Sequence, residues 1–168
     1  MREYGGPDLD EFTTADSLRD ELRRRGVQVA DTAGYGKLAD EAMSTYIEPN
    51  LVQPTFLMDY PVELSPLAKR HPTNPRLVER FECFMAGFEF GNAYTELNDP
   101  VEQRARFDEQ LALQAAGDDE VELLDDDFLF ALEHGMPPTG GLGIGIDRLI
   151  MLASGAMRID QVQWTPTD

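Results

Sequence analysis

The stretch from Arg80 to Pro100 constrains the fold of this chain more than any other part of it. Its first half, Arg80-Phe81-Glu82-Cys83-Phe84-Met85, and its second half, Phe88-Glu89-Phe90-Gly91-Asn92-Ala93-Tyr94-Thr95-Glu96, are rich in aromatic residues that favour extended backbone. Ala86-Gly87 between them is a place where the chain can reverse. The reading is two antiparallel strands around a turn. A pleated strand points successive side chains to opposite faces, so Asn92, Tyr94 and Glu96 line one wall. Glu82 and Glu89 are separated by an odd number of residues, which would divide them between the faces of a single strand. Across a hairpin they can approach one another and share a cation, and their oxygen ligands suit magnesium.

An amide, an aromatic ring and a carboxylate on one wall fit a cationic amino acid. The amide bonds the carboxylate of the ligand, the ring packs on its alkyl stem and Glu96 pairs its ammonium. Lysine is the natural candidate. The same alternation also describes the solvated face of a half-buried sheet, and spacing alone leaves both readings open.

The second informative segment, Gly140-Gly141-Leu142-Gly143-Ile144-Gly145-Ile146-Asp147-Arg148-Leu149, reads as a glycine-interrupted buried strand running into an apolar helix. It fails both standard nucleotide motifs. The third glycine of a dinucleotide fingerprint is replaced by Ile146 or Arg148, depending on the register, and no Gly-Lys-Ser/Thr follows. What remains is a strand whose missing side chains admit a flat ligand, with Arg148 near a helix N-terminus, an arrangement suited to a nucleotide. A structural reason for the glycines stays open beside that one.

The remaining chain supplies helices and loops. A helix starts near Thr13 or Thr14, carries Leu18 and Leu22, and ends in Arg23-Arg24-Arg25 before Gly26, where cations suit the negative end of the macrodipole. A second follows Gly36 and presents Leu38, Ala42, Met43, Tyr46 and Ile47 until Pro49. Pro54 to Met58 reads as a short buried strand, and His71-Pro72-Thr73-Asn74-Pro75 as a loop. Asp99 caps a helix with Pro100 at its first position and Glu102 placed for a capping box, running toward Ala115-Ala116 and ending at Gly117. The acidic stretch Asp118 to Asp127 reads as a solvated connection. Another helix begins near Asp127 with Phe128, Ala131 and Leu132 on its apolar face, and His134 sits in its last turn.

At 168 residues the chain fits one domain, a helical segment over 1–50 leading into strands, helices and the glycine-rich segment over 51–168. No apolar run approaches the ~20 residues needed to cross a bilayer, and the first residues lack a secretory pattern, so a cytoplasmic protein is expected. Cys83 is the only cysteine and reads as a core residue, since the histidines at 71 and 134 are too few to build a zinc site with it. Acidic residues outnumber basic ones 32 to 14, for a net charge of -18. Such a balance disfavours a surface for phosphate backbones, and it matches either simple solubility or adaptation to high salt.

Taken together, the two informative segments resemble class II lysyl-tRNA synthetases. Gly140 to Arg148 is similar to motif 3 of class II aminoacyl-tRNA synthetases, and Gly91-Asn92-Ala93-Tyr94-Thr95-Glu96-Leu97-Asn98-Asp99 to the lysine signature of the lysyl enzymes. Gln53-Pro54-Thr55-Phe56, Ser65-Pro66-Leu67-Ala68-Lys69, Arg80-Phe81-Glu82 and Gly135-Met136-Pro137-Pro138-Thr139 resemble further family segments in the same order. The resemblance implies an α+β fold, part of the class II catalytic domain, with an antiparallel sheet flanked by helices. It implies Glu82 and Glu89 on Mg2+, Asn92 on the lysine carboxylate, and Tyr94 and Glu96 completing the lysine pocket. It places Gly145 on the floor of the site and Arg148 against the adenine and terminal phosphate of ATP. The implied reaction activates lysine with ATP and charges tRNA. The family's motifs 1 and 2 and its anticodon-binding barrel have no counterpart in these residues, and Gln163 to Asp168 differ from the family's usual close. A homo-oligomer, or a partner chain supplying motifs 1 and 2, is expected, tRNA-Lys would be met only through those missing parts, and self-association or instability of the isolated chain is expected. A non-catalytic lysine- or nucleotide-binding module is the alternative. A relative that modifies elongation factor P commonly carries alanine within the motif 3 glycines, and Gly141, Gly143 and Gly145 speak against it.

Overall fold

The computed structural model describes residues 1–115 and 125–163. Its centre is a four-stranded antiparallel sheet in sequence order: β1 (Thr55–Met58), β2 (Arg80–Met85), β3 (Phe88–Thr95) and β4 (Gly140–Ile144). The β2–β3 hairpin closes through Ala86 and Gly87, both left-handed, with φ of 57° and 82°. That is the turn whose twist matches paired strands. Glycine adopts it freely, while Ala86 carries a steric cost of about 1 kcal/mol.

Between Cys83 and Phe84 the hairpin register shifts: Phe84 faces Glu89, whereas Cys83 faces Gly91 and Glu82 faces Asn92. Phe90 is the extra residue of a bulge. Without it Asn92 and Tyr94 would fall on the face opposite Glu82; with it, Arg80, Glu82, Glu89, Asn92 and Tyr94 share one face. The bulged residue is anchored, since Gly145 N donates to Phe90 O at 2.9 Å.

Two apolar clusters support this face. Helices α1 (Ala15–Arg24) and α2 (Tyr35–Tyr46) pack through Leu18, Leu22, Leu38, Ala39 and Ala42. Met43 and Ile47 continue onto the sheet, meeting Leu51, Tyr60, Ala68, Val78 and Phe84. Thr14 caps α1 through its hydroxyl, and Gly26, with φ 85°, follows its end as the arginine run predicts. Helices α3 (Pro100–Ala115), α4 (Asp126–Glu133) and α5 (Ile146–Ser154) complete the described chain. No helix among the described residues is long and apolar enough to cross a membrane. The expected end of α3 at Gly117, most of the acidic connection from Asp118 and the segment after Gln163 lie outside the described residues.

Several expectations are corrected. The strand β1 is an edge rather than a buried strand, with Phe56 64% and Met58 61% exposed. The glycine strand β4 is also largely exposed, because it forms the other edge of the sheet and glycines bring little apolar surface to bury. The face of α4 that is buried is Leu129 and Leu132, not Phe128 and Ala131. The capping box at Asp99 is half formed: the aspartate accepts from Val101 N and Glu102 N, but the Glu102 carboxylate turns away to Arg106 and Arg70. Cys83 is only partly buried, on the sheet face turned away from Glu82 and Asn92. That face stays open, with Leu142 and Ile144 of β4 exposed beside Phe56 and Met58, and α5 adds exposed Ile146, Leu149 and Ile150.

The formal charge of -18 makes the folded state repel itself, and that repulsion is screened over ~10 Å at 0.1 M salt but only ~3 Å at 1 M. Raising KCl from 0.1 to 1 M is therefore expected to increase Tm by about 5 °C, read by calorimetry. An unchanged or lower Tm would mean the acidic surface carries no folding penalty.

Candidate functional site

Arg80 organises the bulged face. Its guanidinium donates from Nε to Asn92 Oδ1 at 3.1 Å, from Nη1 to Leu64 O and Ser65 Oγ, and from Nη2 to Glu82 Oε1 at 2.5 Å. It also lies over the Tyr60 ring, 4.7 Å from the centroid. Because Arg80 occupies the amide oxygen of Asn92, the two N–H donors of that amide are left for a ligand, the polarity a carboxylate requires. Asn92 and Tyr94, with Arg80 and the loop from Leu64 to Ala68, line a cavity of about 230 Å³. Its size suits an amino acid better than a nucleotide. Hollows of about 520 and 510 Å³ beside α5 and on the opposite sheet face are larger, but neither includes Asn92; Glu96 lines none of the three.

Glu96 lies just past the end of β3, held by Glu96 N donating to Thr139 O at 2.9 Å. Its carboxylate occupies the space above Gly141, the β4 residue paired with Tyr94, where a Cβ would overlap Glu96 Oε1. The period-two expectation therefore holds: Glu96 is on the Tyr94 side of the sheet. Gly143, paired with Asn92, would meet only backbone at 3.8 Å, so the glycines leave bare main chain beside the polar wall. Burial pushes the Glu96 carboxyl above the usual carboxylate range, and no cation among the described residues pairs with it.

The other predicted residues gather at the bulge end. Arg148, in the first turn of α5, donates from Nη1 to Glu89 O at 2.8 Å and to Glu89 Oε2 at 3.2 Å. Gly145 precedes that helix, and a Cβ there would meet Arg148 at ordinary contact distances of 3.5 to 3.7 Å. Glu82 is more enclosed. Tyr60 Oη donates to Glu82 Oε2 at 2.6 Å, and burial followed by this bond pushes the Tyr60 phenol upward, keeping it a donor. Among the described residues no three carboxylate, histidine or cysteine groups form a ready metal cage. Glu82 and Glu89 share a face and offer the hard oxygens that suit an ion taking one or two carboxylates plus substrate phosphates, but Glu82 is bonded to Arg80 and Tyr60 and Glu89 to Arg148, so an ion there would have to displace those partners. Glu48, absent from the sequence reading, feels their charge: burial raises its carboxyl, a hydrogen bond from Ser44 opposes the rise, and repulsion from Asp40, Glu82 and Glu89 adds to it.

Sequence reasoning also missed Arg80, Tyr60 and Ser65 as parts of the site. Arg80 had one available signal, its position two residues before Glu82 on the same strand face.

Comparison with known proteins gives a consistent picture. The family model described as tRNA synthetases class II (D, K and N) matches residues 11–168. A lysine–tRNA ligase of Chloroflexus aurantiacus is 52% identical over 94% of this chain and 32% of that protein. Another from Moorella thermoacetica is 48% identical over 99% of this chain and 34% of that protein, and one from Porphyromonas gingivalis is 51% identical over 99% and 28%. The chain thus spans about a third of the length of the curated relatives it matches.

Proposed function

Since the chain belongs to the class II tRNA synthetases (D, K and N), we propose that it forms the lysine-binding wall and part of the ATP site of a lysine–tRNA ligase. The observation that carries this reading is the Glu96 carboxylate above Gly141, without a cation partner among the described residues, in line with Tyr94 and with an Asn92 amide whose oxygen is held by Arg80. A lysine in this orientation meets Asn92 with its carboxylate, lays its stem on Tyr94 and ends at Glu96. Arg148 and the backbone near Gly145 would receive ATP, and Glu82 and Glu89 would hold magnesium, which would supply neutralisation of the phosphate charge. The lysine carboxylate then attacks the α-phosphorus, a bond to pyrophosphate breaks, and lysyl-adenylate forms for transfer to tRNA.

The contribution of these residues is positioning and charge stabilisation. The acidic surface supports a division of labour in which tRNA is met by parts of the enzyme other than these residues. A lysine-binding module without catalysis would keep the same pocket, including Glu82 as the partner of Arg80, but it has no need of Glu89 and Arg148 beside it.

Proton linkage tests the pocket. Burial raises the carboxyl of free Glu96, so it holds its proton to a higher pH than an exposed glutamate does. A lysine ammonium stabilises the carboxylate and lowers the pKa, so binding there releases protons and weakens as pH falls through the raised value. Calorimetry in buffers of different ionisation enthalpy is expected to show this release for lysine and none for norleucine, which has the stem without the ammonium. A buffer-independent heat for lysine would count against Glu96 as its partner.

A further inference from the structure

The loop Ser65-Pro66-Leu67-Ala68 forms the cavity wall facing Asn92 and Tyr94, and it is a turn whose last residue, Ala68, makes a single antiparallel bridge with Glu96. Yet each of its four carbonyls in succession accepts a hydrogen bond. Arg106 Nη1 donates to Ser65 O and Ala68 O, both at 3.0 Å, bracketing the loop. Gln103 Nε2 donates to Pro66 O at 3.1 Å, and Leu97 N donates to Leu67 O at 2.9 Å. Arg106 and Gln103 lie three residues apart on one face of α3 and are 3% and 0% exposed. The Arg106 charge is matched by Glu102 Oε1, 2.6 Å from Nη2. These are long polar side chains in a place where apolar ones would bury at lower cost. Gln103 Oε1 underlines this, since it is buried with no hydrogen-bond partner.

Resting on the lysine-site reading, we propose that Gln103 and Arg106 are positioning residues for amino-acid recognition: from behind the wall they fix the backbone of residues 65–68 and so the width of the lysine cavity. They touch no ligand. Their effect passes through Pro66 and Leu67 on one side and through Ser65 on the other, where the Ser65 hydroxyl accepts from Arg80 Nη1 at 2.7 Å. Arg80 in turn sets the Asn92 amide. The loop is thus clamped between α3 and the residue that orients the carboxylate-binding amide.

Gln103→Leu tests this with little risk to folding, because it removes one hydrogen bond together with a buried acceptor that lacks a partner, changes that roughly offset. Arg106→Lys is the second variant; it keeps a charge for Glu102 but has no fork to bracket two carbonyls. Two measurements on the 168-residue chain are needed, lysine titration by calorimetry and amide exchange. Each variant is expected to raise the lysine Kd about tenfold and to speed exchange at Leu97 and Lys69, with β2–β3 hairpin amides unchanged. A wild-type lysine Kd, or wild-type exchange at those two amides, in both variants would overturn the proposal. Faster exchange throughout the hairpin would reduce the two residues to general stabilisers and would also overturn it. Absence of lysine binding by the unsubstituted chain would instead overturn the lysine-site reading, and this inference with it.

Discussion

Gly141→Ala is expected to weaken lysine binding about 100-fold while leaving Tm within about 2 °C of the unsubstituted chain. The added methyl would enter the space now held by Glu96 Oε1. Gly141 is not at a left-handed position, so the backbone accepts alanine. The obstacle is the end of a flexible side chain, and Glu96 can swing away at small cost to folding. Recognition then bears the loss. Removing one partner of an enclosed charge pair typically costs 2–5 kcal/mol, and 100-fold corresponds to about 2.7 kcal/mol. Calorimetric titration and thermal melting of the same sample separate the two effects. Full affinity in the variant would show that Glu96 does not receive the ammonium from its position above Gly141.

Arg80→Met is expected to have the largest effect on stability, a loss of about 4 kcal/mol and roughly 10 °C in Tm. The side chains of Arg80 and Glu82 are only 16% and 13% exposed, so methionine would leave an enclosed carboxylate facing Tyr60 alone. The acceptors at Leu64 O, Ser65 Oγ and Asn92 Oδ1 would also lose their donor. A double variant, Arg80→Met with Glu82→Met, should recover part of the loss, because the uncompensated charge is removed along with its partner. A single variant melting within 2 °C of the unsubstituted chain would show that the guanidinium hub is not structural.

Much of the polar wall was legible because it rests on strand periodicity. Asn92, Tyr94 and Glu96 alternate in sequence, so period two places all three on one side once the hairpin is recognised, whereas the strand pairing that sets Gly141 and Gly143 opposite Tyr94 and Asn92 was not read from the sequence. The meeting of Glu82 with Asn92 was not legible in the same way. It depends on the bulge at Phe90, a register shift that periodicity cannot show, although Gly91 beside it is the type of residue such a shift favours. The strand at Thr55–Met58 was read as buried from its apolar run, yet burial depends on what covers a face, and in the described chain nothing covers Phe56 and Met58. Glu102 shows a further limit: its spacing from Asp99 fits a capping box, but the long-range partners Arg70 and Arg106 hold its carboxylate instead. The loop carbonyls bound by Gln103 and Arg106 left no sequence signal, since contacts between a helix and an irregular loop nearly 40 residues earlier follow no local pattern.

The most direct test of the lysine site is calorimetric titration of the chain with lysine, alone and with ATP and magnesium, beside the Glu96→Gln variant. Glutamine keeps the shape and removes the charge. The account predicts saturable lysine binding to the unsubstituted chain that the variant loses; equal isotherms for the two proteins, or no binding by either, would contradict it.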